Sequence, residues 1–169
     1  DWKNNLNVLK IEITRNVCIH NGYYRQLTNN ESYNKIKETI DECLKSDYDW
    51  WLTGHSAGGG LATLCSYMLA KEYDNQRFTI VSLASPKVGG KFFSKDFELM
   101  KNLVCWRVIY DKDIVPLMPP MGYEHVGKLI TLTSGKNRKL GFRNIVTDHH
   151  INNYVAGLTK LSNPRAKYF

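Results

Sequence analysis

Asp49-Trp50-Trp51-Leu52-Thr53-Gly54-His55-Ser56-Ala57-Gly58-Gly59-Gly60-Leu61 decides how this chain is read. Largely apolar residues lead into Gly54-His55-Ser56-Ala57-Gly58, a G-x-S-x-G pattern. Apolar positions at Leu61, Leu64, Cys65, Met68 and Leu69 then follow at helical spacing. Strand, sharp turn and helix in that order is the setting of a nucleophile elbow, whose strained backbone lifts a serine hydroxyl clear of the sheet edge. The flanking glycines are expected because a Cβ there would meet the neighbouring strand or helix. Small residues from Ala57 to Ala62 let the helix lie close on the sheet. A serine that merely caps the helix is the plainer alternative. Phosphate binding fits less well, since no Gly-Lys-Ser/Thr follows the glycines and G-x-G-x-x-G is absent from the stretch.

Upstream of this stretch, Leu9, Ile11 and Ile13 alternate with polar residues as in a half-buried strand, and residues 17–20 form a second short apolar run. Between residues 23 and 45 the apolar positions Ile36, Ile40, Cys43 and Leu44 keep helical spacing, which predicts a surface helix packed on one face. Downstream, the helix after Ser56 runs to about Tyr73. Residues 78–84 read as a buried strand rich in β-branched side chains. A short helix over 91–101, a strand over 103–110, a strand over 129–132, a basic surface loop over 134–148 and a helix over 149–161 complete the pattern. Strands alternating with helices predict an α/β fold with a mainly parallel sheet. At 169 residues the chain forms one domain with a sizeable core.

The formal net charge of +7 is lopsided: residues 1–100 hold 12 Lys/Arg against 12 Asp/Glu, and residues 101–169 hold 11 against 4. Lys136, Arg138, Lys139 and Arg143 are the densest basic cluster, but no nucleic-acid-binding motif accompanies them, so a solvated loop is the expectation. No apolar run approaches the roughly 18 residues of a membrane span. Cys18, Cys43, Cys65 and Cys105 show no metal-ligand spacing and no C-x-x-C, and their places on apolar faces predict buried free thiols. Five histidines without paired spacing argue against a metal site.

A serine hydroxyl is a poor nucleophile at neutral pH. It needs a general base to take its proton and an acid to orient that base. In α/β-hydrolases the order along the chain is Ser, then Asp or Glu, then His. Asp113, just beyond a predicted strand, is the leading acid, with Asp111 the competitor two residues earlier. For the base, His149 leads and His150 competes, where a loop meets the last helix; His20 and His125 stay open. His55 is too close to Ser56 in sequence to turn back onto it.

At these residues the chain resembles the fungal-lipase-like (class 3) lipase family, essentially over its whole length. Residues 17–24 (Val-Cys-Ile-His-Asn-Gly-Tyr-Tyr) are similar to the family's V-H-x-G-F/Y. Residues 53–62 are similar to T-G-H-S-L-G-G-A-L-A, with Ala57 for the usual leucine. Residues 84–89 resemble G-x-P-R-V-G, Arg107-Val108 with Asp113-Ile114-Val115-Pro116 resembles R-V and D-x-V-P, residues 122–127 resemble G-Y-x-H-x-G, and Asp148-His149 with Tyr154 resembles D-H-x-x-x-x-Y. Tyr110 departs from the Asn or His often found there. The resemblance implies an α/β-hydrolase domain over 1–169 with Ser56, Asp113 and His149 as triad and the Ala57 N–H as an oxyanion donor, without metal or cofactor. It places the family's F-R-G-[ST] segment, with the second donor, upstream of Asp1. That implies an N-terminally truncated domain in which residues 1–8, with Trp2 and Leu6, are the remnant of a lid.

The resulting expectation is a serine esterase or lipase that cleaves carboxylic esters of acylglycerols or related lipids. It would touch a lipid interface or membrane surface transiently and would bind no nucleic acid. Two rivals keep the fold: a catalytically impaired lipid- or partner-binding module, and an acyltransferase that passes the acyl group to an alcohol.

Overall fold

The computed structural model describes residues 9–29, 31–44, 48–133 and 147–162. Trp2 and Leu6, the proposed lid remnant, and the basic cluster Lys136, Arg138, Lys139 and Arg143 lie outside the described residues.

The centre is a four-stranded parallel sheet in the order β3 (Asp49–His55), β4 (Arg77–Leu83), β5 (Leu103–Tyr110) and β6 (Lys128–Leu132). Parallel strands need cover on both faces, and their burial shows where it comes from. Phe78, Ile80 and Ser82 of β4 and Leu103 and Cys105 of β5 are buried on one face. There α3 (Ala57–Glu72) packs, a helix apolar almost all round and with ten buried residues. Val108 and Tyr110 alternate onto the opposite face and meet Leu132 and Tyr154 of α5 (Ile151–Ser162) in a smaller cluster.

Two short strands, β1 (Lys10–Thr14) and β2 (Val17–His20), form an antiparallel hairpin with Ile11 opposite Ile19. The chain then enters α1 (Asn21–Thr28), where the His20 ring accepts the Gly22 N–H at 3.1 Å as an N-cap. The single helix expected over 23–45 is two: α1 ends at Thr28 and α2 (Ser32–Cys43) begins after Glu31, which sits at φ 56°. Thr28 and Asn29 hold side-chain groups that compete with the helical backbone, and the Thr28 hydroxyl donates to the Tyr24 carbonyl. The remaining helix, α4 (Lys91–Glu98), inserts Phe93 and Phe97 beside Tyr67 of α3.

All four cysteines are free thiols. Cys65 and Cys105 are buried, and burial pushes both thiols up to about 12. Cys18 and Cys43 are only half-buried, which corrects the expectation of four interior thiols. Among the described residues no helix is long and apolar enough to cross a membrane.

Candidate active site

The elbow forms where β3 ends and α3 begins. Ser56 has φ 58° and ψ −128°, a region costing roughly 1–3 kcal/mol for a residue with a side chain. Its backbone N–H is tied to the Leu83 carbonyl of β4 at 2.9 Å, so the neighbouring strand helps to hold the strain. A Cβ on Gly54 would lie 2.2 Å from the Gly58 carbonyl oxygen, which only glycine avoids. Gly58 does not meet the same expectation, because nothing lies within 4 Å of a Cβ there. The tight contacts fall one and two residues later: Gly59 faces the Ser85 Cβ at 2.9 Å and Gly60 the Tyr23 ring at 3.0 Å.

At the carbonyl end of β5 the chain turns through Asp111 at φ 37°, and the Asp113 N–H closes the turn onto the Tyr110 carbonyl at 2.9 Å. That turn puts the Asp113 carboxylate above the sheet edge with its side chain fully buried. Loop contacts fix it from behind: His125 Nε2 donates to the Pro116 carbonyl at 2.6 Å, and the Lys87 N–H donates to the Met118 carbonyl at 2.8 Å. His149 arrives from just ahead of α5.

The three side chains meet in one line. His149 Nε2 lies 2.8 Å from Ser56 Oγ, and His149 Nδ1 lies 2.9 Å and 3.1 Å from the two Asp113 carboxylate oxygens. With Nδ1–H donating to Asp113, Nε2 is left as the acceptor for the serine proton, the tautomer that a general base needs. The structure thus brings Ser56, Asp113 and His149 together and separates the competitors. His149 bonds to Asp113 rather than Asp111. His150 is exposed, His20 caps α1, and His125 braces the acid loop. Ala57 is the first residue of α3, where a helical N–H has no carbonyl one turn earlier to bond.

Two further residues belong to the site. Tyr154 of α5, fully buried, donates its O–H to Asp113 Oδ2 at 2.5 Å and accepts the Tyr110 N–H at 3.1 Å. With the Val115 N–H on Oδ1 at 2.9 Å, Asp113 accepts from three groups. Burial, then the Asp113 hydrogen bond, holds the Tyr154 phenol far above its ordinary range, so it stays a donor. His55, set aside from its sequence position, does not reach back to Ser56. It donates from Nε2 to the His149 carbonyl at 2.8 Å and lies ring to ring with His149 at 4.7 Å. Burial lowers its basicity beside the candidate base. Tyr154 appeared in the sequence only as part of a motif. No spacing signal connects His55 to a partner 94 residues away.

With this geometry in place, comparison with known proteins is decisive for the family. The family model described as Lipase (class 3) matches residues 1–123. The chain belongs to the class 3 lipases. Over 94% of its length it is 26% identical to Phospholipase A1-II 1 of Oryza sativa subsp. indica, covering 46% of that relative. Over 69% it is 29% identical to Secreted mono- and diacylglycerol lipase 1 of Fusarium solani, covering 35% of that relative. The chain therefore spans less than half the length of these relatives. Among solved structures, the Rhizomucor miehei triacylglyceride lipase superposes with a TM-score of 0.68 at 21% identity, over 78% of this chain and 52% of that one. A lipase from Rhizopus microsporus var. chinensis gives 0.67 at 21%, over 79% of this chain and 48% of that one. At such identities these likenesses establish the α/β-hydrolase-type fold.

Proposed function

We propose that this class 3 lipase is a serine hydrolase that cleaves carboxylic ester bonds of acylglycerols or related lipids through an acyl-enzyme. The observation that carries the reading is the unbroken hydrogen-bond line from Ser56 Oγ through His149 to the buried Asp113. Relatives named as a phospholipase and as a mono- and diacylglycerol lipase support lipid esters as the substrate class.

In this reading Ser56 Oγ attacks the ester carbonyl carbon as its proton passes to His149 Nε2. The carbonyl oxygen takes the negative charge, and the Ala57 N–H meets it at the N-terminus of α3. One such donor is worth about 10²–10³ in rate. Asp113 keeps His149 in the correct tautomer and stabilises the imidazolium. Collapse breaks the bond to the alcohol, which leaves with the proton from Nε2, and Ser56 stays acylated. Water then adds by the reverse sequence, with His149 taking its proton, to release the acid. His55 and Tyr154 hold the base and the acid in place and touch no reacting atom.

Covalent labelling with a fluorophosphonate ester tests this. The purified protein is expected to be labelled, Ser56→Ala to lose the label, and His149→Ala to react at least about 10³-fold more slowly. A label that persists in a folded Ser56→Ala protein would overturn the assignment of the nucleophile. A wild-type protein that never reacts, with the triad geometry intact, would overturn the enzyme reading.

A further inference from the structure

Behind the loop that carries Asp113 lies a second group of polar side chains that ester hydrolysis does not use. A cavity of about 10 Å³ is lined by Thr63, Ser82, Ser85, Cys105, Arg107 and His125, among others. That is room for the centre of one water or one small ion. Ser82 and Arg107 are directly opposite each other on β4 and β5. Arg107 Nε is buried without a hydrogen-bond partner, and the equally buried Ser82 Oγ has only the weakly accepting Cys105 sulfur beside it. Among the described residues Arg107 makes no ion pair. The surrounding groups are already committed: the Thr63 and Ser85 hydroxyls donate to the carbonyls of Gly59 and Pro86, and His125 Nε2 donates to Pro116. Glu98, whose charge reaches Cys105, accepts the Gly127 N–H instead of pairing with Arg107. The positive charges of Arg107 and Lys87 both act on His125.

A half-buried guanidinium with no opposite charge beside it is unfavourable until something offsets its charge. We infer that this cavity binds one small monovalent anion of the halide class, held by Arg107 Nε–H and the Ser82 hydroxyl. Charge selects an anion over water, because the lining contains a guanidinium and no carboxylate. Size selects a single atom, because carboxylates, phosphate and sulfate need several times the room. The site lies apart from the candidate triad, yet His125 joins its wall to the Pro116 carbonyl three residues beyond Asp113. A bound halide therefore offsets the Arg107 charge beneath the acid loop.

The test compares sodium chloride with sodium gluconate at equal ionic strength, using the purified protein. Chloride at about tenfold above its Kd is expected to raise the melting midpoint by about 3–5 °C and to broaden the ³⁵Cl resonance. It is also expected to raise the His125 pKa from its depressed value in an NMR titration. Arg107→Gln should abolish all three responses. Ser82→Ala removes one donor without adding bulk; it should weaken chloride binding about 3–10-fold and serves if Arg107→Gln fails to fold. Equal midpoints in the two salts, without excess line width, would mean that the cavity takes only water, and the inference would fall. A chloride effect undiminished in Arg107→Gln or Ser82→Ala would place the anion elsewhere on the basic surface and overturn it equally.

Discussion

Replacing Tyr154 by phenylalanine removes one oxygen atom from a fully buried ring and leaves its shape unchanged. The change isolates two hydrogen bonds without opening an apolar cavity. One is the donation to Asp113 Oδ2 at 2.5 Å, a bond to a charged acceptor worth about 1.5–3 kcal/mol. The other is the acceptance of the Tyr110 N–H at 3.1 Å, worth about 1 kcal/mol. Coupling within one network makes simple addition an upper bound, so the expected loss is about 3 kcal/mol. For a chain of this length that is a fall in Tm of about 6–12 °C. Asp113 keeps its bonds to His149 and Val115, so the triad should persist with a looser acid. That predicts a fall in kcat of about tenfold with KM nearly unchanged. The stability part is checked by a double-mutant cycle with Asp113→Asn, read by urea titration. Tyr154→Phe should cost about 1–2 kcal/mol less when Asp113→Asn is already present, because the acceptor is then no longer charged. If Tyr154→Phe cost the same in both backgrounds, or left kcat and Tm unmoved, the claim that Tyr154 positions Asp113 would be wrong.

Gly54→Ala and Gly58→Ala should behave oppositely: a Cβ at Gly54 would meet backbone at 2.2 Å, so at least about 3 kcal/mol or loss of folding is expected. Gly58→Ala, with open space, should be neutral or stabilising by up to about 1 kcal/mol, both read by thermal melts. His125 should make the protein acid-sensitive. Burial, with Arg107 and Lys87 adding to it, lowers its pKa from 6.5 to about 4. Below about pH 6.5 the unfolded chain therefore binds a proton that the folded chain refuses, and stability falls until about pH 4, by ~3 kcal/mol in all. His125→Gln, which can still donate to Pro116, should flatten the pH dependence of urea midpoints across that window; an unchanged slope would remove His125 as the cause. Trp2→Ala, if residues 1–8 serve as a lid remnant, should lower hydrolysis of emulsified lipid several-fold while sparing a soluble short-chain ester.

Most of the fold was legible because its elements obey simple periodicities. The strands over 78–84 and 103–110 are short apolar runs between turn residues, and both occur within one residue of their expected ends. The elbow helix was equally clear, because small residues at its start and apolar residues all round leave no reading but burial against a sheet. The division of the 23–45 region into two helices was not visible. Helical spacing at Ile36, Ile40 and Cys43 says nothing about residues before Ser32, and the decisive feature is the left-handed backbone at Glu31, a residue type with no preference for it. Gly58 misled in the other direction. The motif gives this glycine a steric duty that its neighbours Gly59 and Gly60 perform, and only the packing of Ser85 and Tyr23 against them distinguishes the three.

For the site, chain order proposed a serine, an acid and a base with competitors for the last two, and the family resemblance singled out Asp113 and His149 among them. What order cannot supply is the choice between adjacent candidates. Asp111 and Asp113 differ by two residues, and the choice rests on a turn in which Asp111 takes the positive φ and Asp113 points back over the sheet. His149 and His150 differ by one, and the one that is bound is the one whose carbonyl His55 holds. His55 precedes Ser56 by a single residue, so the strained turn that carries Ser56 also fixes the direction of His55. In the proposed mechanism the same turn therefore sets both ends of the proton path, the Ser56 hydroxyl and the His149 backbone that His55 holds. It follows that substitution of His55 by glutamine, which can keep a donor but not the ring packed at a tilt against His149, should lower kcat more than it raises KM, while His150→Gln should change neither. Equal effects of the two substitutions would show that the loop ahead of α5 is held by its own turn, and that the His55 contact contributes nothing to the alignment of His149.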